Sequence, residues 1–238
     1  KDNIFKIIEN LKKVLKGIKN EIIFVDDNSP DGTSKVVKDC MKNHVNISLI
    51  HRIGRRGLAG AIIEGVFASK YDLVAVMDCD LQHDETKLLD MIDLFCENTS
   101  LDLVIGSRFT GKGEISDKAF SKIREFGSRL TTILIKKILN IKSTDPLSGF
   151  FMVKRTAFLK RADNLQTQGF KILADFLATS GTGIEIKEIG YRFKNRLVGE
   201  SKMSVLTVLE LIGLVLSQLL KGRVSIRFIL FCMVGLSG

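Results

Sequence analysis

The feature that most constrains the fold is the alternation of continuous apolar stretches with longer amphipathic ones. Apolar residues at helical spacing predict a first helix whose buried positions are Ile4, Ile7, Ile8, Leu11, Val14 and Leu15. A buried strand that ends in acids follows over 21–27, and the alternation then continues. Such strands predict an α/β fold, with a mostly parallel sheet that is covered on both faces and binds ligands at the carboxyl ends of its strands.

The same pattern places the remaining elements. We predict helices over 31–42, 57–70, 85–96, 117–140 and 170–178, and strands over 47–50, 73–77, 102–106, 150–153 and 184–193. No internal repeat or low-complexity linker interrupts them. A chain of 238 residues can bury a full core as one large domain.

Charge and composition narrow the class of partner. The net charge of +9 favours an anion, which could be nucleic acid, a phospholipid surface or a phosphorylated small molecule. Nucleic acid is disfavoured because the chain has no Trp, two Tyr and no basic tract interleaved with aromatic residues. The four cysteines lack C-x-x-C spacing, so neither a zinc site nor a disulfide framework is predicted.

An acidic motif follows one of the predicted strands. Residues 74–83 read Val-Ala-Val-Met-Asp-Cys-Asp-Leu-Gln-His. Asp78, Asp80 and Gln82 share one side if the extended geometry continues beyond the strand. Their oxygen atoms suit Mg²⁺ or Mn²⁺, whose shell is commonly completed by water and nucleotide phosphates. The alternative is that Asp78 and Asp80 are turn residues that end the strand and cap the next element.

Two further loops occupy predicted ligand-facing positions. In the first, Asp26 or Asp27 could accept hydrogen bonds from a nucleobase or ribose, whereas turn chemistry alone explains residues 28–30. Asp31 then begins a turn that leads into a helix. In the second, residues 55–61 put two arginines and small residues at a helix start, which favours an anion. The P-loop spacing is absent, so close helix packing is the alternative for its glycines.

Together these motifs resemble the family 2 glycosyltransferases, specifically the dolichol-phosphate mannose synthases and related polyprenyl-phosphate sugar transferases. The resemblance covers nearly the whole chain. Residues 26–33 resemble the nucleotide loop, residues 78–83 the D-x-D-x-Q motif, and the later segments 105–108, 145–151, 192–196 and 199–202 sharpen the subfamily. The sequence departs from many relatives at Asp84 and Glu85, where prolines are usual. The family's opening strand would stand ahead of Lys1.

The resemblance implies a GT-A type, Rossmann-like catalytic domain over 1–200 and a nucleotide-diphosphate-sugar donor held by Mg²⁺ or Mn²⁺. The metal ligands would be Asp80 and Gln82. The implied donor contacts are Asp26, Asp27, Asp31, Asp78 and Lys202. The implied contacts to the acceptor phosphate are Arg108, Arg124, Ser128 and Arg196. Asp80, Arg108, Arg124 and Arg196 would carry the catalysis.

The implied reaction needs no elaborate base. A phosphate monoester has a second pKa of about 6, so a dolichyl or polyprenyl phosphate is largely a dianion at neutral pH and is its own nucleophile. Positioning and electrostatic stabilisation of the departing nucleoside diphosphate would supply most of the catalysis. The resemblance implies inversion at the sugar. We expect mannose from GDP-mannose, with glucose from UDP-glucose as the main alternative.

The C-terminal part changes character. Residues 201–222 are rich in Leu, Val and Ile with one polar stripe, which predicts an amphipathic helix in a membrane interface or, alternatively, a buried core helix. Basic residues then precede an apolar run, so we expect a transmembrane helix to start within 223–238, with the catalytic domain on the cytoplasmic face. A span needs about 20 residues, so the natural protein is expected to continue beyond Gly238.

Two other functional classes share parts of this pattern. Aspartate-nucleophile phosphatases also place D-x-D after an apolar strand and bind magnesium, but Leu81 stands where they have a small hydroxyl residue or Val. A non-catalytic membrane or regulatory module that binds a nucleotide sugar is the third hypothesis. Donor binding without transfer by an intact full-length chain would favour that module.

Overall fold

The computed structural model describes residues 1–54, 57–111, 114–115, 142–167 and 172–194. In these ranges the helices are α1 (Ile4–Val14), α2 (Thr33–Met41), α3 (Leu58–Ala68), α4 (Lys87–Glu97), α5 (Arg155–Leu159) and α6 (Ile172–Ser180). The strands are β1 (Ile22–Asp26), β2 (Ile47–His51), β3 (Leu73–Val76), β4 (Leu103–Ser107), β5 (Glu114–Ile115), β6 (Phe151–Lys154), β7 (Ile186–Gly190) and β8 (Arg192–Phe193).

The alternation read from hydropathy is confirmed over the described residues, with ends that shift by a few positions. The strand predicted over 184–193 divides into β7 and β8, because it breaks at Tyr191. The short elements α5 and β5 were not predicted, since they hold too few residues to show a period. The predicted helix over 117–140 lies outside the described residues.

Strand direction differs from the prediction at one position. The pairs β1–β2, β4–β7 and β5–β8 are parallel, but β6 lies between β3 and β4 and is antiparallel to both. Residues Phe151, Met152 and Val153 of β6 are buried, so its two faces carry the same apolar signature as a parallel strand. Hydropathy therefore could not reveal its direction, and β6 is the antiparallel exception, since each described strand pair without β6 is parallel.

The strands form a four-stranded sheet in the order β3–β6–β4–β7 and two two-stranded sheets, β1–β2 and β5–β8. The four-stranded sheet separates two hydrophobic clusters because side chains alternate between the faces of a strand. In β4, Val104 packs in the cluster with α1, α2 and α4, whereas Leu103 and Ile105 pack in the cluster with α3, α5 and α6. In β6, Met152 and Phe151 divide in the same way. The same two clusters also take in residues of β1 and β3, so helices cover both faces, as predicted.

The reversed direction of β6 positions the site. Phe151, its first residue, pairs with Val76 at the end of β3 and with Ile105 near the end of β4. The loop that precedes β6 therefore arrives at the sheet edge where β3 and β4 finish. Three chain segments from distant parts of the sequence meet there.

Membrane segments were predicted only toward the C-terminus. No helix within the described part of the chain is long and apolar enough to cross a bilayer. The predicted interfacial helix at 201–222 and the predicted transmembrane start at 223–238 lie outside the described residues.

Leu103 tests the cluster beneath α3 and α6. Leu103→Ala removes a fully buried side chain, and we expect the free energy of unfolding to fall by about 2–5 kcal/mol because a cavity remains. The matched control is Leu89→Ala in α4, where the side chain is 37% exposed and the expected loss is about 1 kcal/mol or less. Urea titration measures both, and equal losses would contradict the assignment of Leu103 to the core.

Candidate active site

The acidic loop leaves β3 in a turn rather than in an extended form. β3 ends at Val76, Cys79 and Asp80 form a turn, and Leu81 has a left-handed backbone with φ of 64°. The backbone N–H of Gln82 donates to Asp80 Oδ1 at 3.0 Å, which closes the turn. The condition that the extended geometry continues beyond the strand is not met, because the chain turns at Cys79 and Asp80, in agreement with the alternative that the strand ends in turn residues.

Gln82 is buried and is held by the backbone of Lys194. Its Nε2 donates to the Lys194 carbonyl oxygen at 3.0 Å, and the Lys194 N–H donates to the Gln82 carbonyl oxygen at 2.8 Å. This pairing fixes which atom of the carboxamide is the nitrogen. Lys194 Nζ also lies 3.3 Å from Glu85 Oε2 and 3.8 Å from Asp84 Oδ1, so the departure from proline at these positions supplies ion pairs.

Asp78 lies against the loop that precedes β6. A Cβ atom added to Gly149 would come within 2.7 Å of Asp78 Oδ2, so the carboxylate sits where any larger residue would clash. The side chain of Asp78 is 42% exposed, and its Oδ2 is 3.4 Å from His83 Nε2. A cavity of about 70 Å³ opens beside Asp78 between Leu58, Ile172 and the 146–149 loop.

His83 lies buried behind Asp78. Its Nδ1 is 2.9 Å from the hydroxyl of Tyr191, which is also buried. The imidazole lies among three aromatic rings, with centroid distances of 5.3 Å to Phe150, 5.7 Å to Tyr191 and 5.8 Å to Phe193. Burial raises the pKa of Tyr191, so the phenol keeps its proton.

Arg108 follows β4 and forms a bidentate pair with Asp145. Its Nε and Nη2 donate to Asp145 Oδ2 and Oδ1 at 2.8 and 2.7 Å, and its backbone N–H also donates to Oδ2 at 3.1 Å. Asp145 is fully buried and the Arg108 side chain is 12% exposed. Burial alone would lower the pKa of Arg108, but the hydrogen bonds and charge of Asp145 raise it, so the guanidinium stays charged.

Glu188 of β7 fixes the loop that carries Asp145. Its Oε1 accepts from the Ser143 hydroxyl at 2.6 Å and from the Thr144 N–H at 2.8 Å. Its Oε2 accepts from the hydroxyls of Thr144 and Thr110, at 2.6 and 3.1 Å. A charged acceptor with several donors restricts the loop more than a neutral one would. Glu188 does not contact Arg108 in these bonds but holds residues 143 and 144, and so stabilises the position of Asp145 in the ion pair.

The loop over residues 26–33 uses two of its carboxylates, those of Asp26 and Asp27, for internal contacts. Asp26 is buried and accepts from the Ser34 hydroxyl at 2.5 Å and the Ser29 N–H at 3.3 Å. Asp27 accepts from Arg52 Nη1 and, at 2.7 Å, from the Gly57 N–H. These contacts tie the end of β1 to the start of α3.

Asp31 lies apart from those contacts on an exposed turn. It accepts from the Thr33 hydroxyl at 2.7 Å and from the Thr33 N–H at 3.1 Å, and these hydrogen bonds lower its pKa. Asp31 is therefore ionised at neutral pH. Asp26, Asp27 and Asp31 stay predictions as donor contacts.

Close packing accounts for the second glycine of the 55–61 loop. A Cβ atom at Gly60 would come within 2.7 Å of Arg52 Nη2 and 2.9 Å of the Thr167 carbonyl oxygen. Arg52 is buried and also donates to Glu64 Oε1 at 3.1 Å. Residues 55 and 56, the predicted anion-binding arginines, lie outside the described residues.

The structure brings some of the predicted site residues to one edge and leaves others undescribed. Asp78, Asp80, Gln82 and Arg108 follow β3 and β4 at the edge reached by the 142–150 loop. Arg124, Ser128, Arg196 and Lys202 lie outside the described residues. In the described part of the chain, no group of three His, Cys, Asp or Glu side chains is arranged to hold a metal ion.

Sequence reasoning missed residues that act behind the site. His83 belonged to no ligand cluster, Tyr191 and Glu188 lay in a predicted strand, and Asp145 was recognised only as part of a motif. The available signal was a polar side chain inside an apolar stretch. Such a residue is expected to have a buried partner, but the pattern does not say which one.

The family model for Glycosyl transferase family 2 matches residues 1–161, and the chain belongs to that family.

Two similar proteins are dolichol-phosphate mannosyltransferases. That of Pyrococcus furiosus is 32% identical over 241 residues, which cover 100% of this chain and 66% of the relative. That of Mycosarcoma maydis is 33% identical over 184 residues, which cover 77% of this chain and 61% of the relative. The chain thus spans less than two thirds of the length of each.

A solved structure supports the fold independently. Glucosyl-3-phosphoglycerate synthase from Mycobacterium tuberculosis, in complex with Mn²⁺, UDP-glucose and phosphoglyceric acid, matches with a TM-score of 0.56 at 14% identity. The match covers 89% of this chain and 83% of that chain. The GT-A-like α/β fold, with parallel-rich sheets flanked by helices, is therefore confirmed.

Asp145 tests the buried ion pair. Asp145→Asn keeps the shape of the side chain but leaves the Arg108 guanidinium without its counter-charge, and we expect the free energy of unfolding to fall by about 3 kcal/mol. The control is Asp90→Asn, which removes the charge from an exposed pair with Lys87 and should change stability little. Denaturant titration of both variants decides, and an unchanged Asp145→Asn would show that the pair adds no stability.

Proposed function

We propose that this protein transfers mannose from GDP-mannose to dolichyl or polyprenyl phosphate, with inversion at the anomeric carbon. The observation that carries the proposal is the meeting of the acidic 78–82 loop with Arg108 at one sheet edge. A donor diphosphate needs a cation, which would bind beside the 78–82 loop. An acceptor phosphate needs a positively charged partner, which would be Arg108. The names of the two similar dolichol-phosphate mannosyltransferases support mannosyl transfer to a polyprenyl phosphate.

The donor set of the acidic loop fits a hard divalent cation. Asp80 offers carboxylate oxygen and Gln82 offers a carboxamide whose nitrogen is directed at the Lys194 carbonyl. Asp80 and Gln82 would hold Mg²⁺ or Mn²⁺, and a bound cation would neutralise charge on the leaving diphosphate. Asp78, with Asp26, Asp27, Asp31 and Lys202, would contact the nucleotide sugar.

The chain's cations would orient the acceptor. Arg108 is held in place by two hydrogen bonds to Asp145, and its remaining guanidinium N–H groups would donate to a lipid phosphate. Arg124, Ser128 and Arg196 would complete the phosphate site. A phosphate oxygen would then attack the anomeric carbon, the bond from that carbon to the diphosphate oxygen would break, and the bonding electrons would leave with the nucleoside diphosphate. One such displacement inverts the sugar.

The acceptor's lipid tail accounts for the predicted membrane segments. A catalytic domain over 1–200, an interfacial helix over 201–222 and a transmembrane start within 223–238 would let the prenyl chain stay in lipid while its phosphate reaches Arg108. The proposal includes membrane association with the catalytic domain on the cytoplasmic face. Nucleic acid has no part in it.

A donor panel tests the proposal on the full-length natural protein. Radiolabelled GDP-mannose or UDP-glucose is supplied with dolichyl phosphate and Mn²⁺ or with a chelator, and label entering the lipid phase is counted. We expect transfer from GDP-mannose that the chelator abolishes. Asp80→Ala should lower the rate about 100-fold, because stabilisation of the leaving diphosphate is lost. The matched control is Asp90→Ala, which removes an exposed carboxylate of α4.

The outcomes separate the rival functions. Full activity of Asp80→Ala would remove the metal ligand from the proposal. Transfer from UDP-glucose alone would replace the sugar. Donor binding without any transfer would indicate a non-catalytic module, whereas phosphate-monoester hydrolysis with covalent capture of Asp78 would indicate a phosphatase. The anomeric configuration of the product, read by NMR, tests inversion.

A substitution at Gly149 tests whether the position of the Asp78 carboxylate matters for transfer. In Gly149→Ala the new methyl group would lie 2.7 Å from Asp78 Oδ2, so the carboxylate must move, and we expect transfer to fall about 100-fold. Gly65→Ala in α3 is the control, because its methyl group meets only Val25 Cγ2 at 3.3 Å. Initial rates at a donor concentration well below KM measure both, because Asp78 is proposed to contact the donor. Equal rates for the two variants would contradict the need for this close approach.

A further inference from the structure

One short stretch, residues 191–194, contacts the acidic loop and also approaches Arg108. The hydroxyl of Tyr191 meets His83, which in turn meets Asp78. The backbone of Lys194 pairs with Gln82. The ring of Phe193 lies 5.6 Å from the Arg108 guanidinium and 5.8 Å from the His83 ring. We call residues 191–194 the bracing segment.

The hydrogen bonds at His83 define its tautomer. An ionised Asp78 carboxylate can only accept, so His83 Nε2 must carry a hydrogen to bond it. Nδ1 lies 2.9 Å from the Tyr191 hydroxyl, and a tautomer with its hydrogen on Nε2 leaves Nδ1 a lone pair to which this hydroxyl can donate. Tyr191, His83 and Asp78 therefore form one directed chain of hydrogen bonds.

The surroundings keep the imidazole in this orientation. Phe150, Tyr191 and Phe193 pack around His83 with tilted or edge-on rings, and His83 is 3% exposed. An apolar side chain would fill the space between these three rings without the free-energy cost of burying polar nitrogens. A histidine with both nitrogens directed at polar groups indicates that the hydrogen bonds are required there.

We propose that His83 is a positioning residue for Asp78 and that the Tyr191 hydroxyl sets its tautomer. This inference rests on the proposed function, because Asp78 contacts the donor only if the protein binds a nucleotide sugar. His83 touches neither donor nor acceptor. It fixes the direction of one carboxylate at the edge of the cavity, and its loss weakens donor binding more than turnover.

The test compares four variants of the full-length protein. Tyr191→Phe keeps the ring and removes the donor, and Tyr71→Phe is its matched control, because Tyr71 is exposed. His83→Leu removes both nitrogens, whereas His83→Gln restores a terminal N–H. The readouts are kcat and the KM for GDP-mannose with Mn²⁺, the Kd for GDP-mannose by calorimetry, and the free energy of unfolding.

We expect KM and Kd to rise about tenfold in Tyr191→Phe, and further in His83→Leu, with kcat within about threefold of the wild type. His83→Gln should return Kd to within about threefold of the wild type. Tyr71→Phe should leave every value unchanged. Equal donor Kd values for His83→Gln and His83→Leu, or an unchanged Kd in Tyr191→Phe, would overturn the positioning role.

This design keeps the two proposals apart. If the wild type binds GDP-mannose but transfers nothing, the proposed transfer fails while the order of Kd values still tests His83. If the wild type transfers mannose and all four variants bind the donor equally, only the role of His83 fails. Should His83→Leu not fold, Tyr191→Phe and Tyr71→Phe still decide the matter. A wild type that binds no GDP-mannose overturns both proposals.

Discussion

The antiparallel hydrogen bonding of β6 between β3 and β4 is the constraint on which the site depends. A parallel strand in that place would send its preceding loop to the opposite edge of the sheet. The reversed strand instead brings residues 142–150 to the ends of β3 and β4. Asp145 reaches Arg108, and Gly149 lies against Asp78, only because of this direction.

Buried charge then determines how firmly that edge is held. The Arg108–Asp145 pair is enclosed, and Glu188 anchors the loop that carries Asp145. Breaking such a pair costs more than forming it gains, because the remaining charge stays away from water. The bracing segment adds hydrogen bonds to Gln82 and to His83. The edge is thus held by directional contacts, which leave its groups little freedom to rearrange.

Sequence patterns predicted the layered α/β fold and the place of the acidic loop because both depend on local hydropathy. Three features escaped prediction for physical reasons. The direction of β6 could not be predicted from its apolar residues, because a central strand is buried on both faces whether it is parallel or antiparallel. A turn after β3 was one of the two alternatives, but its left-handed backbone at Leu81 was not predicted, because leucine rarely adopts that conformation. The partners of His83 and Glu188 come from residues far along the chain, and one sequence carries no signal of such pairs.

The order of the strands in the sheet has a consequence for synthesis on the ribosome. Leu73 pairs with Lys154, and Leu103 pairs with both Val153 and Ile186. A nascent chain that has emerged only as far as β4 has β3 and β4 without the strand that joins them. Their unpaired edges are open to other chains until β6 arrives. The end of the sheet that carries the candidate site is therefore completed only after residues 191–194 have been synthesised and have docked.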